Sequence, residues 1–367
     1  MRWDIIVVGG SAVGASLARA ARGLRIALVA SAKPPVTAVP DASFDARVYA
    51  LSPGSVEFLR SLDVWQSIPA ERITPIYSMR VFGDAESSIE FDAYRAGVAE
   101  LAWTVEDREL QAALWRALET QDDLDIIAPA RCEGLELGDA ARLTIAGGSV
   151  FVADLVVGAD GAESFVRTAA GIGVTKAGYG QTAVVANFAC ELPHGNAAMQ
   201  WFQRGPVLAL LPLPGNRVSM VWSLPDEQAA RLTELNAQEV AHEVGAATNE
   251  VLGPLVLETP LQAFPLQRQS AARLVLPHLA LAGDAAHVIH PLAGQGLNLG
   301  FQDASLLGKL LVGREAVRSA GDLQLLRRYE RGRSEDILAM CATVHGLHSL
   351  FGAGGTGARL VRNLGLN

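Results

Sequence analysis

The chain has 367 residues, half of them apolar, which suits two interleaved domains with a sizeable core. Its 30 basic and 39 acidic residues give a formal charge of −9 with no long basic run, so nucleic acid is not an expected partner. The three cysteines have no short paired spacing, which argues against a disulfide framework or a cysteine-based metal site and suits a reducing cytoplasm. No stretch approaches the ~20 consecutive apolar residues of a membrane span, and the start of the chain does not read as a signal peptide.

Ile5 to Val8 reads as a buried strand, followed by the turn Gly9-Gly10-Ser11-Ala12-Val13-Gly14, a helix over residues 15–21 and a second strand over 25–30. Strand, glycine turn and helix form the context of a dinucleotide fingerprint, in which the backbone approaches a pyrophosphate at a helix N-terminus. Two positions depart from it. Ser11 stands where the middle glycine is expected, although its hydroxyl can donate to a phosphate. Ala30 stands where the second strand should end in a ribose-binding acid. These departures predict reduced dinucleotide affinity, with Ala30→Glu expected to raise it.

Residues 31–43 read as an irregular connection into Phe44-Asp45-Ala46-Arg47-Val48-Tyr49-Ala50-Leu51-Ser52 and a helix over 53–62. Strand-like runs at 78–82 and 88–91, with Gly83-Asp84 between them, suggest a hairpin in a second unit. A helix is expected from Trp103 through Leu118. Leu155-Val156-Val157 then runs into Gly158-Ala159-Asp160-Gly161, placing a carboxylate at the end of an apolar strand. Residues 181–189, 207–213 and 217–222 have the composition of an antiparallel sheet, with a turn at Pro214-Gly215-Asn216, and 226–249 read as one helix.

The stretch that organises the chain is Gly283-Asp284-Ala285-Ala286-His287-Val288-Ile289-His290-Pro291-Leu292-Ala293-Gly294-Gln295-Gly296-Leu297-Asn298. It follows a short apolar strand, so Asp284 would enter the crevice beyond the strand ends and accept hydrogen bonds from polyol hydroxyls. Gly294 and Gly296 would let the backbone approach a flat ring. A helix expected from Asn298, with Leu299, Leu306, Leu307, Leu310 and Leu311 as its buried stripe, would present N–H groups near Gly296 and Leu297 to negative charge. His287/His290 and His345/His348 lack any supporting metal pattern, so no metal is expected. A last helix over 323–340 carries Arg327, Arg328, Arg331 and Arg333, read as a solvated basic face. Arg359 and Arg362 would otherwise offer a patch for anionic lipid.

GGSAVG, DARVYALS, GADG, YGQTAVVAN and GDAAHVIHPLAGQGLNLGFQD occur in the order found in class A FAD-dependent monooxygenases, and the chain resembles their ubiquinone-biosynthesis hydroxylases over nearly its whole length. The resemblance implies an α/β, para-hydroxybenzoate hydroxylase-like fold. A Rossmann-like FAD/NAD(P)-binding domain would comprise residues 1–72, 98–180 and 268–367, including C-terminal helices. An interleaved antiparallel-sheet substrate domain would comprise 73–97 and 181–267. It implies FAD held by Gly9, Ser11, Ala12, Val13 and Gly14, by Arg47 at the phosphates and ribose, by Arg108 and Asp160, and by Gly283 with Asp284 at the ribitol. Pro291, Gly294, Gly296, Leu297 and Asn298 would border the flavin ring.

By the same resemblance, NADH or NADPH would reduce the flavin, O₂ would form a C4a-hydroperoxide, and its distal oxygen would pass to an electron-rich, polyprenylated phenol. No side chain stands out as an acid or base. The alternatives are a soluble aromatic substrate and, from Ser11 and Ala30, a flavin-poor accessory subunit of a biosynthetic assembly. Contact with a membrane face, with such an assembly or with further copies of the chain stays open.

Overall fold

Near-continuous apolar runs belong in a parallel sheet covered on both faces, and here they form its centre. The sheet runs Val275–Leu276, Leu279–Leu281, Val150–Gly158, Arg2–Val8, Ile26–Val29, Leu124–Ile127. Along this path all neighbours are parallel except the first pair; Ala141–Ile145 adds antiparallel to Val150–Gly158, and Cys132–Leu137 antiparallel to it. The computed structural model describes residues 2–34, 43–83, 88–202, 205–289 and 294–352, with side chains as far as Met340. Val7 lies opposite both Val157 and Leu28, and Val157 opposite Ala280, which brings the carboxyl ends to one edge. At that edge Gly9 N–H donates to Val29 O at 2.8 Å, Ala159 N–H to Val8 O at 2.8 Å, and Ala282 N–H to Gly158 O at 2.9 Å. Three motifs far apart in sequence thereby emerge side by side.

Helix Ala12–Ala20 packs against helix Gln295–Val312 behind this edge. Gly300 and Gly308 meet Val13 and Ala20 across the contact; Leu299, Leu307 and Leu311 are buried and Leu306 and Leu310 half-buried, as their spacing predicts. The helix starts at Gln295 rather than Asn298, because Gly294 adopts φ +64° and turns the chain one residue earlier.

The second sheet has nine strands, in the order His287–Val288, Gln262–Ala271, Val174–Cys190, Arg217–Pro225, Val207–Leu213, Ala197–Phe202, Ser78–Phe82, Ser88–Asp92, with Leu255–Leu257 beside the third. Met199, Trp201, Trp222 and Leu224 point to one face, where helices Asp226–Glu234 and Ala237–Ala247 cover them with Leu232, Val240 and Val244. The alternate residues face the parallel domain. The expected boundary at 180/181 falls inside the continuous strand Val174–Cys190, at a bulge between Gly178 and Gln181. That at 267/268 falls inside Gln262–Ala271.

Two sequence expectations need correction. Residues 103–106 are not helical: Ala102–Glu106 is the middle strand of a three-stranded sheet with Val48–Leu51 and Ile73–Ile76, and the helix is Asp107–Glu119. Backbone pairing on both sides of Thr104 and Val105 holds them extended. Residues 226–249 form two helices, because Asn236 and Glu239 make a reciprocal capping box that starts the second. The last helix, Leu323–Gly352, is longer than expected. Among the described residues no helix is long and apolar enough to cross a membrane. Asp84, Arg359 and Arg362 lie outside the described residues.

Candidate active site

A cavity of about 800 Å³ separates the edge of the parallel sheet from the open face of the second sheet. At the glycine turn, a Cβ on Gly9 would lie 2.1 Å from Ala159 O and one on Gly14 would lie 1.9 Å from Gly9 O. Only glycine permits this closeness, and it brings Ser11, Ala12 and Val13 onto the cavity wall. Helix Ala12–Ala20 begins at Ser11 without a side-chain cap or an acid in its first turn, and helix Gln295–Val312 begins after Gly294 in the same state. Helices Pro53–Ser61 and Ala237–Ala247, by contrast, are capped by Ser52 and Asn236. The N-termini therefore bring backbone N–H groups at Ala12, Val13, Gly296 and Leu297 and positive dipole ends to the cavity, which suits anionic groups. A Cβ on Gly296 would meet nothing within 4 Å, so the second of these termini is open to an incoming ring.

Among the described residues three charged side chains line the cavity, all at this end: Arg47, Asp107 and Asp284. Burial alone would lower the Arg47 pKa, but Tyr49, Asp107, Asp284 and Asp45 around it hold it above its ordinary value. The guanidinium lies 5.5 Å from the centre of the Tyr49 ring. Burial raises Asp284 above the usual carboxylate range against the pull of His287 and Arg47. Burial also raises Asp107, opposed by Arg47 and by hydrogen bonds from Gln111 and Tyr49. The Tyr49 hydroxyl is pushed up by burial, and donates to Asp107. One cation thus faces two carboxylates whose charge is costly, and it presents a group able to grip a phosphate.

Behind the wall, Asn298 accepts from Ser52 N–H at 2.9 Å and Ser55 Oγ at 2.7 Å, and donates to Ala50 O and Gly294 O. It pins the Gly294 turn to strand Val48–Leu51, which directly follows Arg47. Asp303 is fully buried and accepts from Gly283 N–H at 2.9 Å, pairs with His287 Nε2 at 2.7 Å and takes Arg333 Nε at 2.7 Å. Burial opposes its ionisation, but these partners lower its pKa overall. Arg333 is therefore a buried anchor, which corrects its reading as part of a solvated face; Arg327, Arg328 and Arg331 are exposed. Arg167, also buried, donates to Ala285 O and Ala162 O and ties two strand-end motifs together.

The structure brings Ser11, Ala12, Val13, Arg47, Asp284, Gly294, Gly296 and Leu297 to the cavity wall, while Gly9, Gly14, Gly283 and Asn298 shape it from behind. Asp160 is turned to other work. Its carboxylate accepts from Ser164 Oγ and Val166 N–H at the start of helix Phe165–Ala169, and only its neighbours Ala159 and Gly161 reach the wall. Arg108 points away, donating to Ser43 O at 2.8 Å and pairing with Glu106 and Glu109. Asp107 and Gln111 of the same helix take the place expected of it. Ala30 is 4% exposed and packs beside Gly10, so no acid reaches the wall there. Pro291 and His290 lie outside the described residues. Among the described residues no cluster of His, Cys, Asp and Glu could hold a metal ion.

Sequence reading missed the other end of the cavity. Ala183, Val185, Val207, Ala209, Leu211, Val221, Phe264 and Leu266 line it with Met79 and Phe91, and among the described residues no charged side chain joins them. Its sheet strands contribute two polar side chains, Gln200 and Ser223, 5% and 4% exposed.

FAD fits this arrangement: the glycine cradle and two uncapped helix ends suit its phosphates and ring, and Asp284 and Arg47 suit its ribitol and phosphates. The family model described as FAD binding domain matches residues 2–342. The chain is 36% identical to the 3-demethoxyubiquinol 3-hydroxylase of Escherichia coli, over 99% of this chain and 93% of that protein. It is 34% identical to the ubiquinone hydroxylase UbiL of Rhodospirillum rubrum, over 99% and 85%. Among solved structures, PqsL, a probable FAD-dependent monooxygenase from Pseudomonas aeruginosa, superposes with a TM-score of 0.83 at 21% identity, over 100% of this chain and 99% of that one. That last likeness is one of fold.

Proposed function

The chain belongs to the FAD binding domain family, and from that premise we propose that it hydroxylates a neutral, prenylated phenol of ubiquinone biosynthesis, using NADH or NADPH and O₂. The relatives named for demethoxyubiquinol and ubiquinone hydroxylation support the reaction. The observation that carries the substrate class is the sheet end of the cavity, largely apolar and uncharged among the described residues. An aromatic carboxylate would lose its hydration there with no cation among the described residues to receive it, whereas a neutral ring with an isoprenoid tail would not.

Bound FAD supplies the redox chemistry, taking reducing equivalents from the nicotinamide and activating O₂. The chain's own part is to hold and shield. Arg47 and Ser11 take the phosphates, Asp284 accepts from ribitol hydroxyls, and the N–H groups at Gly296 and Leu297 stabilise negative charge on the ring. The apolar sheet wall excludes water from the reacting atoms and sets the aromatic ring against the flavin.

The test is product analysis with reconstituted protein. Retained flavin absorbance, with NAD(P)H oxidation yielding hydroxylated product at least about tenfold faster from a short-chain prenylated phenol than from an aromatic carboxylate of the same ring, is expected. Equal or faster hydroxylation of the carboxylate would overturn the substrate class. Failure to retain flavin would favour an accessory role.

A further inference from the structure

Gln200 lies on strand Ala197–Phe202, whose odd-numbered residues Ala197, Met199 and Trp201 enter the helix-covered core. Its side chain therefore projects from the opposite, cavity-facing side. It is 5% exposed and lines the cavity, yet among the described residues nothing hydrogen-bonds its carboxamide. The same holds for the hydroxyl of Ser223, on the same face because Trp222 and Leu224 enter the core. Neither the carboxamide nor the hydroxyl is among the side-chain atoms shut off from solvent without a partner, so both are open to the cavity. A ligand that displaces water from them must replace the hydrogen bonds it removes, which two such groups in one apolar cavity are placed to demand.

The sheet register shows how the surface is shaped. Gln200 lies opposite Ala209, which lies opposite Val221 and then Val185. The adjoining row on this face carries Val207, Ser223, Ala183 and Phe264. Alanines at 209 and 183 leave the space beside the two polar side chains open, while the valines and Phe264 form apolar ground around them. A carboxamide both donates and accepts and does not titrate, so it matches a ring bearing hydroxyl or ether oxygens.

We propose that Gln200, with Ser223 as a second contact, is the residue that grips the oxygen substituents of the aromatic substrate and thereby sets which ring carbon faces the flavin. This rests on the hydroxylase reading above. Gln200 is a positioning and specificity-determining residue, and it moves no proton.

Because no described protein group depends on the carboxamide, Gln200→Met keeps the side-chain length and leaves no described group unpaired. Flavin content and melting temperature should match the parent. The experiment titrates FAD-loaded parent and variant with a short-chain prenylated phenol and with its analogue carrying hydrogen in place of the hydroxyl, read by the change in flavin absorbance. The parent should prefer the phenol by about five- to tenfold, and Gln200→Met should bring that preference below about twofold. The share of NAD(P)H oxidation that ends in hydroxylated ring should fall at least about threefold in the variant, the remainder appearing as hydrogen peroxide. Ser223→Ala should give a smaller loss of the same kind.

A variant that keeps both the parent's preference and its coupling would overturn the role of Gln200 while leaving the hydroxylase reading intact. A parent that neither binds nor hydroxylates a neutral phenol would remove that reading, and this inference with it.

Discussion

The two ends of the cavity are built on opposite principles. At the strand-edge end, charge is gathered and left partly uncompensated: Arg47 faces Asp107 and Asp284, both carboxyls sit above their ordinary range, and two helices start without caps. At the sheet end, among the described residues, no charged side chain lines the wall and two neutral polar side chains stand in apolar surroundings. The difference separates two kinds of recognition. A dinucleotide brings charge and hydroxyls that complete a polar site, whereas a neutral ring and tail gain most from lost water and a few placed hydrogen bonds. Residues 283–289 run between the ends, from the parallel-sheet edge at Ala282 to the second sheet at Val288, with Asp284, Val288 and Ile289 on the wall.

The most damaging way to break this division is to release that stretch. Asp303→Asn removes the charge that receives Gly283 N–H, His287 and Arg333, and should cost about 3 kcal/mol at neutral pH, because Arg333 is left buried beside a weaker partner. The pH dependence separates the two carboxylate classes. The folded-state pKa of Asp303 is lowered, so its contribution is present above the unfolded value of about 3.9 and is lost as pH falls through the lowered folded value. Asp107 and Asp284 are raised, so the stability they favour is full below that unfolded value and lost as pH rises through their folded values. Urea unfolding across acid pH should show the gap between parent and Asp303→Asn closing toward low pH. A gap that stays constant would mean that the ionised pair is not what holds the stretch.

A smaller effect, confined to one end, is expected of Arg47→Met. It should weaken FAD binding by about ten- to a hundredfold through loss of a charge-assisted contact, while leaving the sheet end untouched. Fluorescence titration of FAD checks it, and an affinity within about threefold of the parent would place the phosphates elsewhere.

How much of this was legible depended on which force fixed each residue. GGSAVG and the GD stretch could be read because a close backbone approach admits only glycine, whatever surrounds it. Arg108 misled because the helix begins only after a strand ending at Glu106, and a helix turns about 100° per residue, so its starting point decides which side chain meets the cavity. Asp107 and Gln111 had no signal of their own beyond ordinary acid and amide at a helix start. The break at Asn236 was written in the sequence as a capping pair with Glu239 and went unread. Arg333 stood among other arginines, and its partner, Asp303, is supplied by a different helix. Gln200 was invisible for a simpler reason: a polar residue in a strand ordinarily faces water, and only the second domain's placement over the parallel sheet turns that face into a wall.

The mildest change tests the departure from the glycine fingerprint. Ser11 has extended backbone angles, φ −73° and ψ 179°, so the position does not need glycine for conformation. Its hydroxyl makes no capping bond to the helix it precedes, and it lines the cavity. A serine that truly capped its helix would lose about 1 kcal/mol of stability on replacement by alanine. Ser11→Ala should cost less than about 0.5 kcal/mol in the FAD-free protein, since no cap is lost. If the hydroxyl instead donates to a phosphate, FAD affinity should fall about threefold. Thermal unfolding with and without FAD separates the two roles: a melting temperature lowered only when FAD is present assigns the hydroxyl to the cofactor. An equal loss in both states would make Ser11 a structural residue, and the charged end of the cavity would then grip its phosphates through backbone N–H groups and Arg47 alone.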